Sequence, residues 1–297
     1  MPPSYPNPNG PMSSSMTTLK HKLAMGRSLF KVWVADAVFG EVPRLVFGNS
    51  AGLRNNLTPR LHAALSPIRR SGSPYSAADL PDITPIRDDG YMLTNASYDP
   101  AALSDAIRHF RQVIEDKELT RANGKYSTEV KDPMQSLPEL ADLLNADVRD
   151  LLHSFYGRSF EVVETQCFRN FTIPESDQEL EAYSNFWHGD TYPVDWLKVY
   201  VFLSDWGETN GPTEIMPIPV TKEAMRSGYV NRYFSFLGED RKERYAASAV
   251  KATGAAGTVL IFNPERCLHR AGIPADGNSR DAVMFFVAGS DAPDDGI

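Results

Sequence analysis

The sequence lacks long apolar runs. No segment of its 297 residues approaches the roughly 20 consecutive apolar residues that cross a bilayer, and the amino terminus lacks the apolar core of a secretory signal. We therefore expect no membrane span and a cytoplasmic protein. Residues 16–30 contain Lys20, Lys22 and Arg27 and no acid. They faintly resemble an organelle presequence, which makes import the alternative to a disordered tail.

Cysteine is scarce. The two thiols, Cys167 and Cys267, cannot form a disulfide framework, and Cys267 lies two residues before a candidate metal ligand. A reducing compartment and two buried thiols are expected.

Positive charge is in deficit. The chain has 30 Lys and Arg against 38 Asp and Glu, a net charge of -8. This balance argues against a nucleic-acid partner, because such proteins normally carry a basic surface. A small molecule is the expected partner, and no feature indicates an oligomeric state.

The composition, 42% hydrophobic and 23% charged, is that of a globular chain with one large core. The simplest division has an N-terminal extension, partly disordered, over residues 1–84. The Pro-, Ser- and Asn-rich start of this extension has little to bury, and residues 19–39 predict an amphipathic helix. Residues 85–290 are the expected catalytic domain, and residues 291–297 are an acidic C-terminal tail.

Two helices are predicted at the start of this domain. Asp99 is a suitable N-cap before Pro100. Ser136 and Glu139 have the spacing of a capping box, and an apolar stripe follows as far as Gly157. Both helices are interpreted as packing elements.

Strand patterns dominate after these helices. Residues 161–171, 197–203, 258–262 and 282–288 are apolar or alternating and rich in β-branched and aromatic side chains. The fold class is therefore α+β with a mainly β core, in which helices buttress an antiparallel sheet sandwich. Residues 219–247 predict a lid or insertion between strands, or equally a solvated amphipathic helix.

A candidate metal site begins at His188 and Asp190, which project to the same side of an extended segment because they are two residues apart. His269 follows a predicted strand and turn and supplies a third ligand. Two imidazoles and one carboxylate are the ligand set of non-haem Fe(II) oxygenases. The plain alternative is a core histidine, a turn aspartate and a loop histidine, because this tripeptide pattern is common by chance.

Arg280 makes the interpretation of the histidines and Asp190 as a metal site more specific. It lies eleven residues after His269 and two residues before the strand predicted over 282–288. A guanidinium fork suits a carboxylate, so an arginine beside a metal pocket can anchor a dicarboxylate cosubstrate. The alternative is a solvated arginine at the start of a strand.

The combination and order of these motifs along the chain are more specific than any single motif. Residues 86–289 contain an Asp-Gly-Tyr strand, Trp187-His188-Gly189-Asp190, Asn210-Gly211-Pro212-Thr213, His269 and Arg280. In this order the chain resembles the phytanoyl-CoA dioxygenase family of Fe(II)/2-oxoglutarate-dependent oxygenases. The resemblance implies a double-stranded β-helix, the cupin-like jelly roll, in agreement with the strand pattern.

The resemblance also implies roles for single residues. The catalytic metal ligands to Fe(II) are His188, Asp190 and His269, and Arg280 pairs with the distal carboxylate of 2-oxoglutarate. Asn185 and Thr213 are implied to contact 2-oxoglutarate as well. O2 is the second cosubstrate. Aromatic residues near these motifs are candidates for the substrate pocket, although core packing is the more common role of such rings: Phe186, Trp187, Tyr192 and Trp206.

The expected reaction is hydroxylation of a small or medium-sized organic substrate with release of succinate and CO2. Related halogenases replace the metal carboxylate with a small residue, so Asp190 argues against halogenation. The carboxylate does not by itself exclude desaturation, epoxidation or ring formation. Two other functions stay open: a cupin-like Zn(II) or Mn(II) enzyme, which does not explain Arg280, and a non-catalytic binding module with a degenerate oxygenase fold.

Overall fold

The computed structural model describes residues 81–290, apart from residues 191 and 194. The helix predicted over 19–39, most of the N-terminal extension and the acidic tail lie outside these residues.

Antiparallel strands form the core of the described chain. They are β1 (Tyr91–Asn95), β2 (Thr120–Ala122), β3 (Ser127–Val130), β4 (Phe160–Phe171), β5 (Leu197–Phe202), β6 (Glu214–Ile215), β7 (Tyr229–Asn231), β8 (Phe234–Ser235), β9 (Val250–Lys251), β10 (Thr258–Phe262), β11 (His269–Arg270) and β12 (Ser279–Gly289). The large sheet has seven strands in the order β1-β10-β5-β12-β4-β3-β2. A smaller sheet has the order β11-β6-β9, and β7 pairs with β8.

The described residues also form helices. They are α1 (Thr84–Asp88), α2 (Pro100–Val113), α3 (Pro133–Ser136), α4 (Ala146–Tyr156), α5 (Ile218–Arg226) and α6 (Glu239–Ala247), with a 3-10 helix over Pro138–Leu143. Helices α2 and α4 pack against one face of the large sheet, whereas α5 and α6 lie between β6 and β9. The prediction for α2 is confirmed, because the Asp99 carboxylate accepts hydrogen bonds from the backbone N–H groups of Ala101 and Ala102 at 2.8 and 3.0 Å. No helix in the described part of the chain combines the length and apolarity needed to cross a membrane.

The second predicted helix starts later than its sequence pattern indicated. The Ser136 hydroxyl donates to the Lys131 carbonyl, so it does not form a capping box with Glu139. Asn145 is the actual cap, because its side chain accepts from Val148 N at 3.2 Å. The apolar stripe concealed the break because the 3-10 helix and α4 both contribute apolar side chains to the same core.

Alternation along β5 separates two cores. Val199 and Val201 face α2 and α4 in the outer core, whereas Tyr200 and Phe202 lie in a second core inside the fold. Lys198 shares the inner face. The inner face of the large sheet therefore has room for polar groups, whereas the outer face is a helix-packed apolar layer.

The predicted strands are present, and one of them is longer than expected. β10 has the predicted bounds, and β12 begins at Ser279 instead of residue 282. Arg280 therefore lies inside a strand, opposite Asn170 of β4, and is not a solvated residue at the strand start. The structure also buries Cys167 and Cys267, as predicted.

Residues 218–249 form an insertion between two paired strands. The segment contains α5, the β7–β8 hairpin and α6, and Ile215 of β6 pairs with Val250 of β9 at its two ends. The first turn of α5 is tied to the site, because Leu268 N donates to Thr221 Oγ1 at 2.9 Å. A single solvated helix is therefore excluded.

The turn before β1 depends on a glycine. Gly90 has φ of +86°, and a Cβ on it would lie 2.4 Å from Cys267 Sγ and 2.8 Å from Ile218 Cγ1. Gly157 ends α4 at φ +65°, and a Cβ there would meet nothing within 4 Å. The two glycines share a left-handed backbone and differ in the space around them.

We expect Gly90→Ala to lower the free energy of unfolding by about 2–5 kcal/mol, from backbone strain of about 1–2 kcal/mol and overpacking of about 1–3 kcal/mol. Gly157→Ala is the matched control and should cost only the strain, about 1–2 kcal/mol. Urea unfolding of the two variants measures the difference. Equal losses of stability would show that the packing around Gly90 contributes nothing.

Candidate active site

His188 and His269 form a short antiparallel pair. His188 N donates to His269 O at 3.0 Å, and His269 N donates to His188 O at 2.8 Å. Directly opposed residues place their side chains on the same side. The two imidazole rings accordingly lie with their centroids 4.3 Å apart.

Each imidazole is held in one tautomer. Nδ1 of His188 donates to Phe186 O at 2.8 Å, and Nδ1 of His269 donates to Cys267 O at 3.0 Å. Because a carbonyl oxygen only accepts, the proton of each neutral ring belongs on Nδ1 and Nε2 has a free lone pair. Nε2 of His269 is buried and has no hydrogen-bond partner among the described residues. The two rings thus present unprotonated nitrogens to a common point.

Asp190 completes the candidate ligand set. Its Oδ1 lies 3.5 Å from His188 Nε2 and 3.9 Å from His269 Nε2. Its backbone N–H donates to Pro264 O at 3.0 Å, which fixes the chain after Gly189. The potential ligand atoms of the three residues all lie within 4.8 Å of one another. The structure therefore brings together the three residues that the sequence predicted.

The protonation states favour a metal cation. Burial lowers the pKa of His188 to about 4, and burial also holds the pKa of His269 well below its usual value. Burial opposes the charged form of Asp190, but the Lys198 ammonium and the two imidazoles outweigh it, and the pKa falls to about 2. Two neutral imidazoles and a carboxylate at neutral pH bind a metal without releasing a proton.

Lys198 is a site residue that the sequence interpretation missed. Its Nζ lies 2.6 Å from Asp190 Oδ2, and the rings of Phe286 and Phe262 lie 5.1 and 5.9 Å from the ammonium. The sequence contained a signal, because Lys198 interrupts an otherwise apolar strand. A buried lysine in a sheet interior needs an anion beside it.

Arg280 is a buried cation with no anionic partner in the described part of the chain. It is 2% exposed, and its Nη1 donates to Gly211 O at 2.7 Å and lies 3.4 Å from Thr213 Oγ1. No carboxylate within the described residues lies at ion-pair distance from it, and its Nε has no hydrogen-bond partner. Burial lowers the pKa of the guanidinium, which nevertheless stays charged. Such a group fits an anion supplied from outside the chain.

Asn185, predicted to contact the cosubstrate, has both ends of its amide engaged in its own loop. Oδ1 accepts from Ala182 N at 2.8 Å, and Nδ2 donates to Leu180 O at 3.2 Å. These bonds close the turn that leads into Phe186 and His188.

The aromatic substrate candidates lie in different places. Trp206 is fully buried, stacks on Phe202 at 3.7 Å and lies 5.0 Å from the guanidinium carbon of Arg280. Tyr192 stacks on Trp196 at 5.3 Å and lies near Lys198 in the inner core.

Two further candidates, Phe186 and Trp187, line a cavity of about 460 Å³ beneath the 218–249 insertion. The Trp187 ring packs against the guanidinium of Arg270, 4.7 Å from its carbon. Tyr233 approaches Phe186 edge-on at 6.4 Å. The four aromatic candidates therefore do not form a single pocket wall.

Solved structures with the same fold include several that are remote in sequence. EctD from S. alaskensis, solved with 2-oxoglutarate and 5-hydroxyectoine, has a TM-score of 0.52 and 15% identity over 74% of this chain and 78% of its own. The non-heme alpha ketoglutarate dependent carbocyclase SnoK from nogalamycin biosynthesis has a TM-score of 0.52 and 17% identity, over 73% and 87%. The epimerase SnoN from the same biosynthesis has a TM-score of 0.51 and 14% identity, over 69% and 80%. These similarities confirm the jelly-roll fold.

A search of curated proteins finds no match to this chain. The sequence does match the family described as Phytanoyl-CoA dioxygenase (PhyH), over residues 86–280. This range includes the three candidate metal ligands and ends at the buried guanidinium. The chain belongs to the phytanoyl-CoA dioxygenase family.

Proposed function

We propose that this protein is a dioxygenase that uses Fe(II), 2-oxoglutarate and O2 to hydroxylate a small or medium-sized organic substrate, with release of succinate and CO2. One observation carries the proposal. Arg280, a buried cation with no anionic partner among the described residues, shares the interior of the fold with the His188–Asp190–His269 set, in which both histidines are buried and have unprotonated Nε2 atoms.

The three residues fit Fe(II). Two imidazole nitrogens and one carboxylate oxygen converge from one side, as in the facial triad of non-haem iron enzymes. The carbonyls of Phe186 and Cys267 fix the orientation of both rings. When bound, Fe(II) supplies the open coordination positions at which a 2-oxo acid and O2 react.

Arg280 is the proposed anchor of 2-oxoglutarate. Its guanidinium would bind the distal carboxylate, and the Thr213 hydroxyl beside it would donate to the same group. The Trp206 ring packs against the guanidinium of Arg280 and keeps it oriented. Asn185 contributes by closing the turn before the first metal ligand, and we assign its contact with the cosubstrate to the second Nδ2 proton.

Hydroxylation is the default outcome of this ligand set within the family, and it is the reaction that we propose. The carboxylate of Asp190 occupies the place that a halogenase leaves for its halide. The rings of Tyr192, Trp196 and Phe286 pack together near Lys198 and would exclude water from the reacting centre. Similar structures contain small molecules such as 5-hydroxyectoine, which supports a substrate of that size class.

Anaerobic addition of 2-oxoglutarate to the Fe(II)-loaded protein should produce a visible metal-to-ligand charge-transfer band. His188→Ala should abolish the band and lower succinate formation in air by at least about 100-fold, because it removes a metal ligand. His109→Ala, which changes a half-exposed histidine on α2, is the control and should leave both signals intact.

Absence of both the band and succinate in the unaltered protein would contradict the proposal. A rise in melting temperature with Zn(II), and none with Fe(II) plus 2-oxoglutarate, would favour the cupin-like alternative.

Arg280→Leu should weaken 2-oxoglutarate binding by at least roughly 30-fold, because loss of one partner of a buried charge pair costs about 2–5 kcal/mol. Binding of Fe(II) alone should be unchanged. Pyruvate, a 2-oxo acid without the distal carboxylate, provides the matched comparison. The unaltered protein should bind 2-oxoglutarate far more tightly than pyruvate, and Arg280→Leu should bind the two acids about equally. A variant that keeps the preference would place the carboxylate elsewhere.

A further inference from the structure

The two oxygens of Asp190 have different surroundings. Oδ1 faces both imidazoles, 3.5 Å from His188 Nε2 and 3.9 Å from His269 Nε2. Oδ2 lies 2.6 Å from the Nζ of Lys198. One oxygen is therefore directed at the proposed metal position, and the other is bound by an ammonium group.

Lys198 is held firmly in this position. It is 7% exposed and lies directly opposite Phe286 on the neighbouring strand. The rings of Phe286 and Phe262 flank its ammonium at 5.1 and 5.9 Å. Within the described residues, Asp190 is the one carboxylate at ion-pair distance from Lys198. An ammonium group so deeply buried is stable only beside its anion.

A carboxylate can bind a metal through one oxygen or through both. In a six-coordinate site, three protein atoms leave three positions, which are enough for a bidentate 2-oxo acid and O2. A bidentate Asp190 would occupy one of these positions. The number of oxygens that Asp190 contributes therefore decides whether 2-oxoglutarate and O2 can bind together, an argument that rests on the proposed function.

We propose that Lys198 is a positioning residue that keeps Asp190 bound to the metal through Oδ1 alone. The ion pair occupies Oδ2 and thereby preserves a coordination position for the cosubstrates. The ammonium charge also repels the nearby dication, so Lys198 weakens metal binding while it keeps the position open. Loss of Lys198 should consequently raise the affinity for the metal and lower the affinity for the cosubstrate.

The test uses Co(II) in place of iron, with the full-length protein under nitrogen. Calorimetry measures the Kd for Co(II), and the visible spectrum of the Co(II) protein measures the Kd for 2-oxoglutarate. For Lys198→Met we expect a Co(II) Kd about tenfold lower and a 2-oxoglutarate Kd about tenfold higher than in the unaltered protein, since charge repulsion is removed and Oδ2 is released.

Two variants control for the loss of a lysine and for the loss of charge. Lys222→Met removes a partly exposed lysine on α5 and should change neither Kd. Lys198→Arg retains a cation beside Asp190 and should restore 2-oxoglutarate binding to within threefold. Lys198→Thr, whose side chain is too short to reach Oδ2, replaces Lys198→Met if the latter does not fold.

A 2-oxoglutarate Kd within threefold of the unaltered value in Lys198→Met, or in the Thr variant, overturns this role whatever the Co(II) affinity. A comparable weakening in Lys222→Met also overturns it. If the unaltered protein binds no Co(II) or no 2-oxoglutarate, the proposed function itself fails, and that outcome is separate from the outcome for Lys198.

Discussion

Two backbone hydrogen bonds between His188 and His269 hold the site together. They join a loop before β5 to β11, two segments about 80 residues apart in sequence, and so determine where both imidazoles point. The pairing of His269 with Ile215 of β6 then ties the ligands to the small sheet. Without this backbone pair, the Nδ1 bonds to nearby carbonyls would orient each ring but would not bring the rings together.

The interior of the fold is organised around buried charge. Asp190 and Lys198 form an ion pair on the inner face of β5. On the neighbouring strand β12, Arg280 has no anionic partner among the residues that the structure describes. Asp281, the neighbour of Arg280, points to the opposite face and pairs with Arg169 at 2.7 Å. The alternation of β12 therefore separates a structural ion pair from a guanidinium that is open to a ligand.

The sequence predicted what depends on local pattern. Strands such as β10 followed from apolar runs, the start of α2 followed from Asp99, and the ligand triad followed from the order of its motifs. The predicted start of α4 was wrong because the 3-10 helix before it also contributes to the core. The apolar pattern therefore does not show where the 3-10 helix ends and α4 begins. A lysine within an apolar strand indicated that Lys198 needs an anion, but its partner was not predictable, because the partner depends on which residue faces Lys198 across the fold. That relationship exists only after β5 and the preceding loop have been placed.

The insertion between β6 and β9 also supports the histidine pair. Its ends are adjacent because Ile215 and Val250 pair. Within it, Tyr229 Oη donates to Trp187 O at 2.6 Å, beside His188, and Thr221 Oγ1 accepts from Leu268 N at 2.9 Å, beside His269. A lineage that exchanges residues of this insertion to admit new substrates must therefore retain both contacts to keep the two imidazoles in place.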